Sequence, residues 1–375
     1  MFMDISSELV HSLLPVFMSS VLGAGMLTIG VVEGAAEAIA AISKGPAGVV
    51  SDYWGKRKSL VALGYGLSAI TKLVFPLASS IGAVAAARFV DRIGKGIRGA
   101  PRDALVADIA PAHLRGAAYG LRQALDSAGA FLGPALAVIF MTLMASDIRA
   151  VLWVAVAPAF FGVLLLVWGV QEPERVAASG PTRAPIHWRD AKRLGREFWV
   201  IVALGSIFTL ARFSEAFLVL RAQDVGLDIA LVPVVMVVMS GVYAASAYPA
   251  GRISDRFSPR TLLPVGLLAL IVADIALATA SSITVVLTGA ALWGLHMGIT
   301  QGLFSKLVAD AAPVELRGTA FGVYSVVTGV SMLLASVIAG ALWTSLGPAA
   351  TFFAGAGFSA VAALGLLAHR RRSAA

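Results

Sequence analysis

Leu105-Val-Ala-Asp108-Ile-Ala-Pro111-Ala-His-Leu-Arg115-Gly116-Ala-Ala-Tyr-Gly120 returns later in the chain as Leu307-Val-Ala-Asp310-Ala-Ala-Pro313-Val-Glu-Leu-Arg317-Gly318-Thr-Ala-Phe-Gly322, at an offset of 202 residues. A second match, Pro46-Ala-Gly48-Val-Val-Ser51-Asp52 against Pro249-Ala-Gly251-Arg-Ile-Ser254-Asp255, lies at an offset of 203. Two matches at nearly one spacing are hard to obtain by chance. They mark a duplication in which the second half repeats the first in the same direction.

The stretches between these motifs are apolar. With 58% hydrophobic residues, 13% charged residues and a mean hydropathy of +0.86, the chain is too apolar for a soluble protein of 375 residues. A bilayer core needs about 20 apolar residues per helix. Cutting at polar and Gly/Pro clusters gives twelve such segments, near 3–22, 26–50, 58–79, 81–101, 115–144, 148–170, 197–221, 228–251, 260–281, 283–308, 317–345 and 348–369. The first residues, Met1-Phe-Met-Asp4, lack the basic region of a cleavable signal peptide.

The linkers alternate in charge. Those after even-numbered segments carry Lys56-Arg57-Lys58, Arg102 with Arg115, the run from Arg175 to Arg196, Arg252 with Arg256 and Arg260, and Lys306 with Arg317. The other set contains only Arg149 and Arg221 as cations. The positive-inside rule then puts the basic linkers, both termini and Arg370-Arg371-Arg372 in the cytoplasm. The longest polar interval, with Pro173, Pro181 and Pro185, reads as a linker. The expected architecture is an all-α membrane protein with six-helix bundles over residues 1–170 and 197–375, joined by 171–196. Secondary transporters built from such repeats bind their substrate at the repeat interface.

Three motifs resemble those of the major facilitator superfamily, and the resemblance covers essentially the whole chain. Gly48-Val-Val-Ser-Asp52-Tyr-Trp-Gly55-Lys56-Arg57-Lys58 is similar to the family's loop between helices two and three. The resemblance implies an inner gate formed by Asp52, Gly55, Lys56 and Arg57, joined by Arg98 and Arg102. The second copy, Asp255 with Arg256, has Ser258 in place of the second glycine, which implies a weaker gate. Arg92-Ile-Gly-Lys95-Gly96-Ile-Arg-Gly99-Ala100 resembles a fourth-helix signature whose arginine serves proton coupling; Lys95 stands where a glutamine is common. Gly120-Leu-Arg-Gln-Ala-Leu-Asp-Ser-Ala-Gly129-Ala-Phe-Leu-Gly133-Pro134 resembles a fifth-helix pattern associated with antiporters, although Ala137-Val138 replaces the usual pair of glycines.

Arg88, Arg92, Lys95, Arg98 and Arg102 recur at three- and four-residue spacing, so one face of the fourth segment is basic, with Asp91 beside it. A cation at membrane depth costs several kcal/mol, so this face must meet water, a partner or a substrate. The duplication provides a comparison, because Arg92, Lys95 and Arg98 correspond to Gly294, Met297 and Thr300, and Arg122 and Asp126 to Tyr324 and Thr328. A charge required by the fold would recur in both copies more often. A carboxylate whose arginine contact changes between states is a proton carrier. The expected proton-coupling set is therefore Arg92, Glu8, Glu33, Asp126 and Asp91, with Glu37 either paired or titrating. A static network of the same charges is the structural alternative. The substrate-cavity set is Lys95, Arg122, Arg212, Glu215, His296 and Gln301.

Other classes recede. The net charge of +8 is spread in short clusters rather than over one surface, which argues against nucleic acid. There is no cysteine, hence no disulfide framework and no thiolate metal site. Gly94-Lys-Gly96-Ile-Arg-Gly99 matches a dinucleotide fingerprint literally, but no strand precedes it. Met236, Met239 and His296-Met297 form at most a soft-metal path. No nucleophile-base constellation suggests an enzyme, and no cofactor is expected. The resulting expectation is a monomeric, proton-coupled antiporter of the bacterial inner membrane, exporting a small anionic or zwitterionic molecule. Its alternatives are proton-coupled uptake of a small anion, metal ion or metal chelate, and a nontransporting sensor or scaffold on the same fold.

Overall fold

The computed structural model describes residues 1–54, 56–172, 188–254, 257–300, 302–313 and 316–374, and no strand occurs among them. Gly55, Asp255, Arg256, Gln301, most of the expected linker and the side chain of Asp52 lie outside the described residues. Among the described residues, nine stretches are long and apolar enough to cross a bilayer on length and composition. The other three spans fail that test for identifiable reasons. The first, Phe2–Val16, is regular for 15 residues and continues through a π-helical turn, Phe17–Val21. The fourth, Ile81–Ile109, carries the basic stripe. The seventh is broken into Arg196–Leu210 and Ala216–Asp224. Twelve spans result, in two bundles of six.

The duplicated motif makes the same turn twice. Leu114 N–H donates to Pro111 O at 2.8 Å, and Leu316 N–H to Pro313 O at 2.9 Å. Arg115 Nε reaches back to Ala107 O at 3.1 Å, and Arg317 Nε to Ala309 O at 3.2 Å. The repeated Arg-Gly is thus a brace, satisfying a carbonyl that the end of the preceding helix leaves open. The fifth span, Arg115–Leu143, and the eleventh, Arg317–Leu346, start from these two turns.

The two exceptions to the charge alternation have an equivalent explanation. Arg149 donates to Pro76 O at 2.7 Å and lies over the Phe17 ring. Arg221 donates to Leu277 O at 3.0 Å and Ala280 O at 2.7 Å, and pairs with Asp224. Each cation fastens the end of a helix, the third span (Arg57–Leu77) and the ninth (Pro259–Ala278), which are counterparts in the two repeats. A cation at a helix C-terminus is favourable.

The bundles meet where the second span (Met26–Trp54) packs on the eleventh and the fifth on the eighth (Val234–Ser254). Glycines set the close approach. A Cβ on Gly34 would lie 2.8 Å from Ser336 Cβ, and one on Gly340 would lie 2.6 Å from Met26 O. Farther along the same pair, a Cβ on Gly329 would sit at 3.4 Å from Ala38 O, and one on Gly45 would meet nothing within 4 Å. At the end away from the termini, Gln223 Nε2 donates to Ser20 Oγ at 2.7 Å across the bundles. The bundles are therefore sealed at that end and splayed at the end bearing the termini and basic loops.

Candidate functional site between the two bundles

The basic stripe divides according to its neighbours. Arg88 Nη2 contacts Glu33 Oε2 at 2.6 Å and His11 Nδ1 at 2.7 Å, linking the fourth span to the second and first. Arg92 pairs with Glu37 at 3.1 Å. Asp91 faces the third span, where Lys72 Nζ meets its Oδ1 at 3.0 Å. Arg98 departs from the stripe and shares Asp91's face. Buried between the third and fourth spans, it donates to Ser68 Oγ at 2.7 Å and lies over the Tyr65 ring at 4.9 Å. The reason is geometric: seven residues are slightly less than two turns, so Arg98 follows Asp91 rather than Arg92. Glycines permit this close packing, since a Cβ on Gly94 would lie 2.6 Å from Gly64 O.

Lys95 has a different surrounding. It projects into a central cavity of about 270 Å³ that also takes Glu8, His11, Glu37 and Arg92 from the first bundle and Arg212, Glu215, Tyr243 and Trp293 from the second. A second cavity of about 460 Å³ leads from Glu8, Glu37 and Lys95 past Lys44 to Arg102 and Asp126, toward the basic end. A third, of about 290 Å³, runs from Glu37 and Arg212 to Tyr324 and Thr328. Glu37 borders all three, so the Arg92–Glu37 pair stands at their junction. Among the described residues, Glu8 and Lys95 make no ion pair.

The second bundle contributes through the break in the seventh span. Residues 211–215 leave the helix; Ser214 N–H donates to Ser336 Oγ at 3.1 Å, and Ser214 Oγ accepts from Ala216 N–H at 3.3 Å. The break presents Arg212 and Glu215 to the central cavity, and Glu215 Oε2 lies 3.8 Å from His11 Nε2 across the bundles. Met236, Met239, Met297 and Met332 complete the wall on that side. Among the described residues, no group of three or more His, Asp or Glu side chains is placed to hold a metal ion.

Several expected site residues lie elsewhere. His296 is 0% exposed, with Nδ1 2.7 Å from Gly266 O, so it packs between the ninth and tenth spans and does not line the cavity. Arg122 is drawn to the basic end, 2.9 Å from Asp103 and 3.5 Å from Asp126. Asp126 also meets Arg102 at 3.1 Å. Glu33, fully buried against Arg88, is separated from the cavity that its neighbour Glu37 borders. In the gate motif Lys56 is exposed, and Arg57 Nη1 meets Asp108 Oδ2 at 2.6 Å. Glu172 accepts the backbone N–H of Arg57 at 2.8 Å and of Lys58 at 2.9 Å, tying the start of the third span to the end of the sixth.

A family model described as Major Facilitator Superfamily matches residues 1–237 and 215–375. An uncharacterized MFS-type transporter of Methanocaldococcus jannaschii is 32% identical over 372 residues, covering 97% of this chain and 91% of the relative. The chain belongs to the major facilitator superfamily. As a member it is an integral membrane secondary transporter. Two solved structures share its fold: a nucleoside transporter at 14% identity, TM-score 0.79, covering 98% of this chain and 97% of that one, and a D-xylose-proton symporter at 16% identity, TM-score 0.77, covering 97% and 94%. In this superfamily member, the partners His11, Lys72 and Glu172 belong to none of the sequence motifs, and Arg88 enters them only as the first cation of the basic stripe. His11 carried a usable signal, being a polar residue one turn from Glu8 in an apolar helix.

Proposed function

We propose that this transporter is a proton-coupled antiporter that exports a small anionic or zwitterionic solute. The observation that carries the reading is the Arg92–Glu37 pair at 3.1 Å, placed where three cavities meet and flanked by Glu8 and Lys95. An incoming anion competes with Glu37 for Arg92 and Lys95, and a carboxylate that loses its cation gains a proton. Exchange of partners at this junction therefore links solute and proton. Arg92, Glu8, Glu37 and Asp126 are the proposed coupling groups; Glu33 and Asp91 hold Arg88 and Lys72 in place. Lys95, Arg212 and Glu215 face the solute. The basic end is assigned to the cytoplasm of a bacterial inner membrane, with Lys56, Arg57, Arg102 and Asp108 acting at its gate. Residues 1–170 and 197–375 move as two units in a monomer, linked by 171–196.

The test is a solute screen in proteoliposomes carrying an internal pH dye. Solute movement with opposite proton movement, lost in Glu8→Gln and Arg92→Ala variants that still fold, supports the proposal. Solute movement with the proton in the same direction instead supports uptake of a small anion, metal ion or chelate, a reading favoured by the four methionines on the second-bundle wall. An activity that survives both substitutions without any flux supports a nontransporting sensor or scaffold.

A further inference from the structure

The second bundle contains a carboxyl group that the coupling scheme above leaves unused. Asp274, in the ninth span, is 0% exposed, and neither carboxyl oxygen has a hydrogen-bond partner. Its surroundings are apolar and tight. A Cβ on Gly355 of the twelfth span (Pro348–Ala374) would lie 2.7 Å from Asp274 Oδ2 and 2.9 Å from the Phe213 ring. Phe213 belongs to the break in the seventh span and borders the central cavity. It packs on Trp293 at 5.3 Å and on Phe352 at 5.5 Å between ring centroids. One aromatic side chain thus stands between a buried carboxyl and the cavity that holds Arg212 and Glu215.

Among the described residues, the charged groups on the elements packed around Asp274 are engaged, remote or, for Arg212 and Glu215 on either side of Phe213, turned to the central cavity. On the tenth span (Ile283–Thr300), His296 is bonded to Gly266 O, two turns back along the ninth span. Lys306 and Asp310 of the following helix, Leu303–Ala311, sit near the basic end. Arg221, the cation on the seventh span near the sealed end, is spent on Asp224 and the carbonyls of Leu277 and Ala280. The twelfth span has no charged residue from Pro348 to Ala368. A carboxylate with neither donor nor countercharge in such a place is costly by several kcal/mol, and the neutral acid is the form that fits.

We propose that Asp274 is a proton-binding site of the second bundle, loaded while the molecule is sealed at the Ser20–Gln223 end, and that Phe213 at the break in the seventh span is its door to the central cavity. The assignment rests on the proton-coupled reading and adds a site that the first-bundle charge network does not contain. Because the proton is bound more tightly in the sealed state than in the open one under this assignment, low pH favours the sealed state. Opening of the sealed end then needs either proton release through the gap that Phe213 vacates or a donor newly brought to Asp274.

Two measurements on full-length protein in liposomes test this without a known solute. The first is labelling by N,N′-dicyclohexylcarbodiimide, which adds to protonated carboxyl groups in apolar sites, read by peptide mass spectrometry. Expected are an adduct at Asp274, a yield at least fivefold lower at pH 9 than at pH 5.5, and labelling at least threefold faster in Phe213→Ala. The second uses the absence of cysteine to place spin labels at Ser20→Cys and Gln223→Cys. The short-distance population should rise at least fivefold, relative to the long one, from pH 8.5 to pH 5.5, and Asp274→Asn should flatten most of that change. Labelling that is absent, or flat with pH, overturns the assignment on the parent protein, whether or not Asp274→Asn folds. A pH response of the spin-label pair that Asp274→Asn leaves whole sinks Asp274 alone. A parent whose sealed end ignores pH removes the proton-coupled reading together with it.

Discussion

Glu33 and Arg88 meet at 2.6 Å with side-chain exposures of 0% and 1%, and His11 closes the other side of the guanidinium at 2.7 Å. Removing one partner of such a pair leaves an uncompensated buried charge, at a cost of about 3–5 kcal/mol. Arg88→Met and Glu33→Leu should each lower the unfolding temperature in detergent markedly. The double variant should recover most of the loss, because replacing both ions by apolar groups is often neutral.

Glu37, one turn beyond Glu33, should behave in the opposite way. It is paired with Arg92 at 3.1 Å but keeps 33% exposure toward the cavities. Glu37→Gln keeps an acceptor oxygen for Arg92, which is only 3% exposed, so it should cost clearly less stability than Glu33→Leu while reducing solute-driven proton movement roughly tenfold or more. Thermal unfolding and the pH-dye assay on the same preparation separate the two outcomes. Equal effects of Glu33→Leu and Glu37→Gln on both readouts would refute this division of roles.

Gly340 allows the sealed end to close, since a Cβ there would lie 2.6 Å from Met26 O. Gly340→Val should hold the second and eleventh spans apart, broadening the distance distribution between labels at positions 20 and 223 and lowering flux. Gly45→Ala, where an added Cβ meets nothing within 4 Å, serves as the silent control in both measurements.

Arg57 and Asp108 join the start of the third span to the end of the fourth at 2.6 Å, with exposures of 18% and 38%. Such a pair adds less than about 1 kcal/mol to stability, so its contribution is to position the basic-end loop. Asp108→Arg should slow transport several-fold with little change in unfolding temperature, and the exchange Arg57→Asp with Asp108→Arg should restore part of the rate. Failure of the exchange to improve on the single variant would show that the pair does not position the loop.

Much of this protein was legible in its sequence. Hydropathy placed twelve spans, and the repeated Leu-Val-Ala-Asp stretch announced the duplication, because a bilayer demands long apolar helices and a repeated turn demands the same Pro and Arg-Gly. The structure shows why those residues recur: Arg115 and Arg317 brace the same helix end through Ala107 O and Ala309 O. Arg149 and Arg221 looked like exceptions to a charge rule, and contacts with helix-end carbonyls explain them. The set of helices, their duplication and the faces on which charges lie can therefore be read from the order of residues alone. Tertiary structure alone decided which charge meets which. Helical spacing puts Glu33 and Glu37 on one face, yet the second span carries the first into a dry contact with Arg88 and the second to the cavity junction. It also gave Arg98 to the third span and Lys95 to the cavity, and it left Asp274 without a partner. A period of 3.6 residues fixes direction around an axis, whereas depth and distance are set by how closely glycines let neighbouring helices approach.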